Sequence, residues 1–297
     1  MNIRLFLAAL LLSGFTGILS AQQKGWFIIE QQEDRYGNSS SQSIFIQGKQ
    51  LRIENAASVF IIDLDSEQLT LVFPVQQIFW EGSARQLREA ILNSLKQQLE
   101  EMIARLPEHI RAEADSSFRN ELKILEADYS DSTLSVPLKI EKTNAFDTIL
   151  GFVAQKHNIF LDSILLETIW TSEEINPYAE INSTLLREMT SIFRPPSRVQ
   201  AHRETELYQQ FTRENMVMRS VIPTPVGEST TEIKQIKAIP IPGDFFRPPP
   251  DYKNARIEEV IAITMDQEAP FVTNGLNGEK TNPRNPSDEQ QKIQPPY

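Results

Sequence analysis

Six short runs rich in β-branched and aromatic residues follow one another between Gly25 and Trp80, each closed by turn-forming residues. The runs are Trp26-Phe27-Ile28-Ile29, Ser43-Ile44-Phe45-Ile46, Leu51-Arg52-Ile53-Glu54, Val59-Phe60-Ile61-Ile62, Leu69-Thr70-Leu71-Val72-Phe73 and Gln77-Ile78-Phe79-Trp80. Among the separators are Tyr36-Gly37-Asn38-Ser39, Gln47-Gly48-Lys49, Asn55-Ala56-Ala57 and Asp63-Leu64-Asp65-Ser66. Parallel neighbours need a crossover of a dozen residues or more, and no gap here allows one. The spacing predicts an antiparallel meander.

A helical pattern follows. Ser83 can cap it, and Leu87, Ile91, Leu95, Leu99, Met102 and Leu106 recur at steps of three and four, which marks one helix face. Pro107 interrupts, and a second stripe runs through Ile110, Ala114, Phe118, Leu122 and Leu125. Pro107 is expected in the first turn of that second helix, where a missing N–H costs nothing. Residues 83–127 thus read as a helical hairpin packed on the sheet by Leu87, Ile91, Leu95 and Leu99, or as a lid over a cavity.

Strands return at Leu134 to Lys142, where Pro137 points to a sheet edge. Asp147 to Phe160 and Ile164 to Thr171 read as two arms around Leu161-Asp162-Ser163. Ser183 to Phe193 and Glu204 to Arg213 read as helices. Asn215 to Ile222 and Thr230 to Ile239 form another strand pair about a turn at Pro223 to Glu228. Phe245 to Tyr252 carries Pro248-Pro249-Pro250, which forbids helix and central strand alike, so it is expected to be extended. From Asp266 to Tyr297 there is little to bury, and a disordered tail is expected.

The first 21 residues have the form of an export signal. Met1 to Arg4 give a positive start, Leu5 to Leu12 an apolar run too short to span a bilayer, and Leu19-Ser20-Ala21 a small-residue cut site. Gln22, not cysteine, follows, so no lipid acceptor and no stable membrane anchor are expected. The chain should be a soluble, exported protein, periplasmic or secreted, with residues 22–265 as one domain. It has no cysteine, which excludes disulfides and thiol catalysis. With 29 Lys+Arg against 40 Asp+Glu it is acidic, and no nucleic-acid partner is expected.

No catalytic pattern stands out. His109, His157 and His202 have no metal-ligand spacing and read as surface or hydrogen-bonded residues. Asp63 and Asp65 lack the glycine and later glutamate of a calcium loop and read as a hairpin turn. There is no GxSxG, SxxK, HExxH or phosphate-binding glycine loop. No metal, no cofactor and no enzyme activity are expected.

Gly48-Lys49-Gln50-Leu51-Arg52-Ile53-Glu54, Ile61-Ile62-Asp63-Leu64-Asp65, Leu71-Val72-Phe73-Pro74 and Phe79-Trp80 together resemble a bacterial exported family catalogued as domain of unknown function four-four-one-two. Ile149-Leu150-Gly151-Phe152, Lys156-His157-Asn158-Ile159 and Glu167-Thr168-Ile169-Trp170 resemble its second block, and Phe246 to Tyr252 its closing segment. Residues 83–127 depart from that pattern by their length and read as an insertion. The strand pattern is also similar to the lipoprotein carrier LolA-like fold. That resemblance implies an α+β architecture, a curved antiparallel sheet forming an incomplete barrel, with helices over an apolar cavity. It implies lipid or lipoprotein acyl chains as ligand. Arg52, Phe60, Phe79, Trp80 and Trp170 are the candidate ligand-binding residues. An envelope interaction protein with a filled core and a hydrolase with an unrecognised site are the alternatives.

Overall fold

The computed structural model describes residues 24–126, 138–190 and 201–266. The expected export signal, the expected tail from 267 onward and residues 127–137 lie outside them.

The expected meander is present. Strands β1 (Lys24–Glu33), β2 (Ser39–Gln47), β3 (Gln50–Glu54), β4 (Val59–Asp63), β5 (Gln68–Phe73) and β6 (Ile78–Ser83) pair antiparallel in sequence order. Two of the connections share one device. The loops before β5 and β6 end on Glu67 and Gln77, both at φ +54°, a left-handed residue that turns the chain back into the next strand. Asp63 fixes the first of these loops by accepting the amides of Asp65 and Ser66 at 2.9 and 3.2 Å. The Asp63-Asp65 pair is therefore a turn, as its sequence suggests.

The second half adds β7 (Leu138–Ile149), β8 (Phe152–Leu161), β9 (Ile164–Ser172), β10 (Met216–Thr224) and β11 (Gly227–Pro240). The stretch read as one arm from Asp147 to Phe160 is split. Leu150 and Gly151 both take positive φ (+53° and +87°) and form a two-residue hairpin between β7 and β8. β11 returns to pair with β1, which joins both halves into one sheet. Its twelve strands run β12-β6-β5-β4-β3-β2-β1-β11-β10-β9-β8-β7 and do not close. β7 is one edge, as Pro137 before it predicts. A bulge interrupts it between Lys142 and Phe146. Gln155 Nε2 donates there to the carbonyls of Thr143 (2.7 Å) and Ala145 (2.9 Å), groups that β8 leaves unpaired.

The helices are α1 (Ala84–Arg105), α2 (Glu108–Glu126), α3 (Ser183–Thr190), α4 (Glu206–Glu214) and α5 (Ile257–Asp266). Ser83 caps α1 with a reciprocal capping box to Gln86. Pro107 sits just ahead of α2 rather than inside its first turn, and its carbonyl accepts the Ile110 amide. The expected packing of α1 is only half realised. Leu87 is buried and Ile91 packs on the main core. Leu95 and Leu99 are half-buried and outside that core, and Met102 is 43% exposed. α1 also contacts α2, α3 and α5.

Residues 241–252 correct a further expectation. They are not extended but fold into successive turns, with amides of Phe245, Arg247 and Tyr252 bonded three residues back. The chain then forms β12 (Lys253–Asn254), parallel to β6, and α5. The sequence reading left both unassigned, although Ile257, Val260 and Ile261 already carry helical spacing.

Register fixes which residues share a face. Ile28, Ile44, Ile53, Phe60, Leu71 and Trp80 are successive cross-strand partners, one row on the helix face. Leu87 of α1, Met189 of α3 and Val260 of α5 pack over this row in the main core. The opposite, loop-covered face carries Phe45, Val59, Ile61, Val72 and Phe79, with Ile241, Phe245 and Phe246 laid across them. Gln32, Thr231, Ser220, Ile169 and His157 form a second row, and alternation along β1 puts it on the helix face too.

Candidate functional site

The five candidate residues do not converge. Phe60 and Trp80 share the helix face, two strands apart in one row. Phe60 is half-buried and Trp80 buried. Arg52 and Phe79 lie on the loop-covered face. Arg52 donates to the Phe245 carbonyl at 2.8 Å, places its guanidinium 4.6 Å from the Phe245 ring centre and pairs with Glu54 at 2.6 Å. It clamps residues 241–252 to the sheet. Trp170 is on β9, with Lys156 and Arg219 flanking its ring at 5.4 and 5.2 Å. Arg219 in turn holds Asp147 at 2.8 Å and Glu232 at 3.0 Å.

The most heavily built polar centre was not among the candidates. Glu167, on β9, is fully buried on the helix face. Period-2 alternation puts Glu167 on the face of Ile169, directly opposite Ile159, and the pairing is interrupted just beyond it, where Leu166 is bulged out. Arg203 Nη2 donates to Glu167 Oε1 at 2.5 Å and Arg203 Nε to Oε2 at 3.1 Å, a two-pronged pair. His202 Nε2 lies 2.6 Å from Oε2, Ser220 Oγ 2.5 Å from Oε1, and Tyr208 Oη 3.4 Å from Oε1. Burial alone would raise the Glu167 pKa. The hydrogen bond from His202, the charge and hydrogen bonds of Arg203 and the Ser220 hydroxyl outweigh it and hold the carboxyl at about 2. An ionised carboxylate only accepts, so Nε2 of His202 carries the proton it donates.

Serine, histidine and glutamate are together here, but not wired for acyl transfer. An activated serine gives its proton to an imidazole. Ser220 instead donates to the carboxylate, and all three side chains are buried. The centre ties residues 201–214 to β9 and β10. Thr205 completes the tie, capping α4 and donating to the His202 carbonyl at 2.7 Å.

His202 is thus hydrogen-bonded, and His109 is exposed. His157 is buried against Phe211, near Gln155 O and Thr171 Oγ1. Desolvation chiefly lowers its pKa and favours the neutral ring. Among the described residues no cluster of three or more His, Asp or Glu could hold a metal ion, and no helix is long and apolar enough to cross a membrane. One signal for Glu167 was legible: an acid amid the apolar run Ile164 to Trp170. Its partners lie 35 or more residues downstream and carry no spacing that announces them.

No family model and no curated protein matches the chain. Among solved structures, it is similar to PNGF-II in its C2 space group, at 12% identity and a TM-score of 0.34, over 80% of this chain and 33% of that one. The same protein in space group P21 gives 11% identity and 0.30, over 74% and 29%. The chain spans about one third of the PNGF-II length. A domain described as an outer membrane lipoprotein-sorting protein, from Vibrio parahaemolyticus, gives 7% identity and 0.23, over 81% of this chain and 92% of that one. At these scores the likeness is too loose to carry a function from any of them.

Proposed function

We propose that the protein is a non-enzymatic, exported binding protein for an apolar ligand such as a lipid acyl chain, held between the helix face of the sheet and helices α1, α3 and α5. One observation carries this reading. The sheet presents a continuous apolar row, Ile28 to Trp80; each covering helix buries one anchor on it, Leu87, Met189 and Val260, and otherwise meets it through half-buried residues: Ile91, Leu185, Leu186, Ile257 and Ile263. A cover anchored by one buried side chain per helix can part from a sheet that stays intact. Phe60, half-buried within the row, is the side chain placed to touch a ligand entering there. A fluorescent fatty acid should bind saturably at micromolar concentration, be displaced by palmitate, and lose affinity in Phe60→Ala. Absence of saturable binding by folded protein overturns the proposal.

The exposed apolar residues around the β7–β8 hairpin favour a second reading. Phe146 is 64% exposed, and Val153 (50%) and Leu150 (45%) lie close to it around the first hairpin. Such a patch fits an envelope protein that docks a protein partner. If Phe146→Ser with Val153→Ser abolishes co-purification of a partner and leaves fatty-acid binding absent, this reading replaces the first.

A further inference from the structure

We propose that residues 201–214 form a detachable cover over β8–β10, latched by Glu167, whose release uncovers Ile159 and Ile169 on the ligand-binding face of the sheet. The last clause rests on the apolar-ligand reading above; the latch does not.

The cover is one body. The 3₁₀ turn Ala201–Glu204 runs into α4, and Thr205 bonds both ways, to the His202 carbonyl and from the Tyr208 amide. It ends at Asn215, which leaves helical geometry at φ −129° and feeds straight into β10. That single residue is the hinge. Little apolar surface holds the cover down. Tyr208 and Phe211 alone contribute to the cluster with Ile159 and Ile169, while Leu207 is 47% exposed.

At its far end Asn176 donates to the Arg213 carbonyl at 2.8 Å and Arg213 donates to Ser183 at 3.1 Å, beside the hinge. Over β8–β10 the remaining hold is the charged centre, and that sets its character. Three of the four groups on Glu167 belong to the cover: His202, Arg203 and Tyr208. The fourth, Ser220, is on the sheet and also accepts from Arg203 at 2.9 Å. An apolar contact can loosen by degrees. A buried carboxylate cannot lose its guanidinium by degrees, because each half-way position leaves a charge without water and without a partner. The cover is therefore docked or released, with few states between. Beneath it lie Ile159 and Ile169, fully buried, flanked by Leu138, Ile140 and Val217, with Glu167, His157 and Ser220 as their cross-strand partners. They face the same side of the sheet as Phe60 and Trp80.

Hydrogen exchange of the wild-type full chain in sub-denaturing urea tests the latch. The α4 amides should open together, and at lower urea than those of β2–β5. Ser220→Ala, which removes one donor and is expected to fold, should raise exchange across α4 roughly tenfold and leave β2–β5 unchanged. Glu167→Gln should raise it further. Exchange over α4 that tracks the sheet in wild type and in Ser220→Ala overturns the latch. Stopped-flow binding of a fluorescent fatty acid tests the second clause. Faster binding in Ser220→Ala supports gating; an unchanged rate with faster α4 exchange overturns it. If wild type binds no fatty acid at all, the ligand reading fails, and the exchange data still decide the latch.

Discussion

His202 Nε2 and Glu167 Oε2 lie 2.6 Å apart with both side chains almost wholly out of water. They come from a 3₁₀ turn and from mid-sheet, 35 residues apart. With Arg203 beside them they make the Glu167 side chain the most strongly partnered group among the described residues.

Glu167→Gln should destabilise the fold by about 2–4 kcal/mol, since it leaves the half-buried Arg203 without its counter-charge. Glu167→Met together with Arg203→Met should cost markedly less than Glu167→Gln alone. Urea unfolding of the three proteins checks this. A double variant weaker than the single one would show that the ion pair itself, and not the avoidance of a bare charge, stabilises the site.

Acid should act through the same carboxyl. Its pKa is lowered from 4.5 to about 2 on folding. A depressed carboxyl contributes stability above its unfolded pKa and loses it as pH falls through the folded one. The contribution should be complete above about pH 5 and fade toward pH 2, by about 3 kcal/mol in all. Glu167→Gln should flatten that part of the stability–pH curve, measured by thermal unfolding.

Arg52→Ala should free residues 241–252 from the sheet. It removes a hydrogen bond to the Phe245 carbonyl and the stacking on its ring. The expected cost is about 1–2 kcal/mol, with faster proteolysis of that segment. Unchanged protease sensitivity would mean that Ile241 and Phe246 suffice to hold it.

Leu87→Ala and Met102→Ala separate the two halves of α1. Leu87 is buried in the main core, and its truncation should cost about 2–4 kcal/mol. Met102 is exposed, and its truncation should cost about 0.5 kcal/mol or less. Similar losses at both sites, seen by urea denaturation, would place the distal half of α1 against a surface too.

The meander, the hairpin helices and the turn at Asp63 were legible in the sequence, because strand period, helix period and turn chemistry are local properties of a few neighbouring residues. Which aromatic faced which way was not. Period-2 alternation says that Phe60 and Phe79 occupy definite faces, but only the register of β4 through β6 places them on opposite ones. The closure of β1 onto β11, which turns two separate strand groups into one sheet, joins residues about 200 positions apart and has no local sign. The Glu167 centre is non-local in the same way. A lone acid in a strand, a histidine and arginine after a proline pair, and a serine in another strand are each unremarkable by themselves. Their chemistry arises from burial, which strips away water and makes each group depend on the others, and burial is decided by the tertiary fold alone.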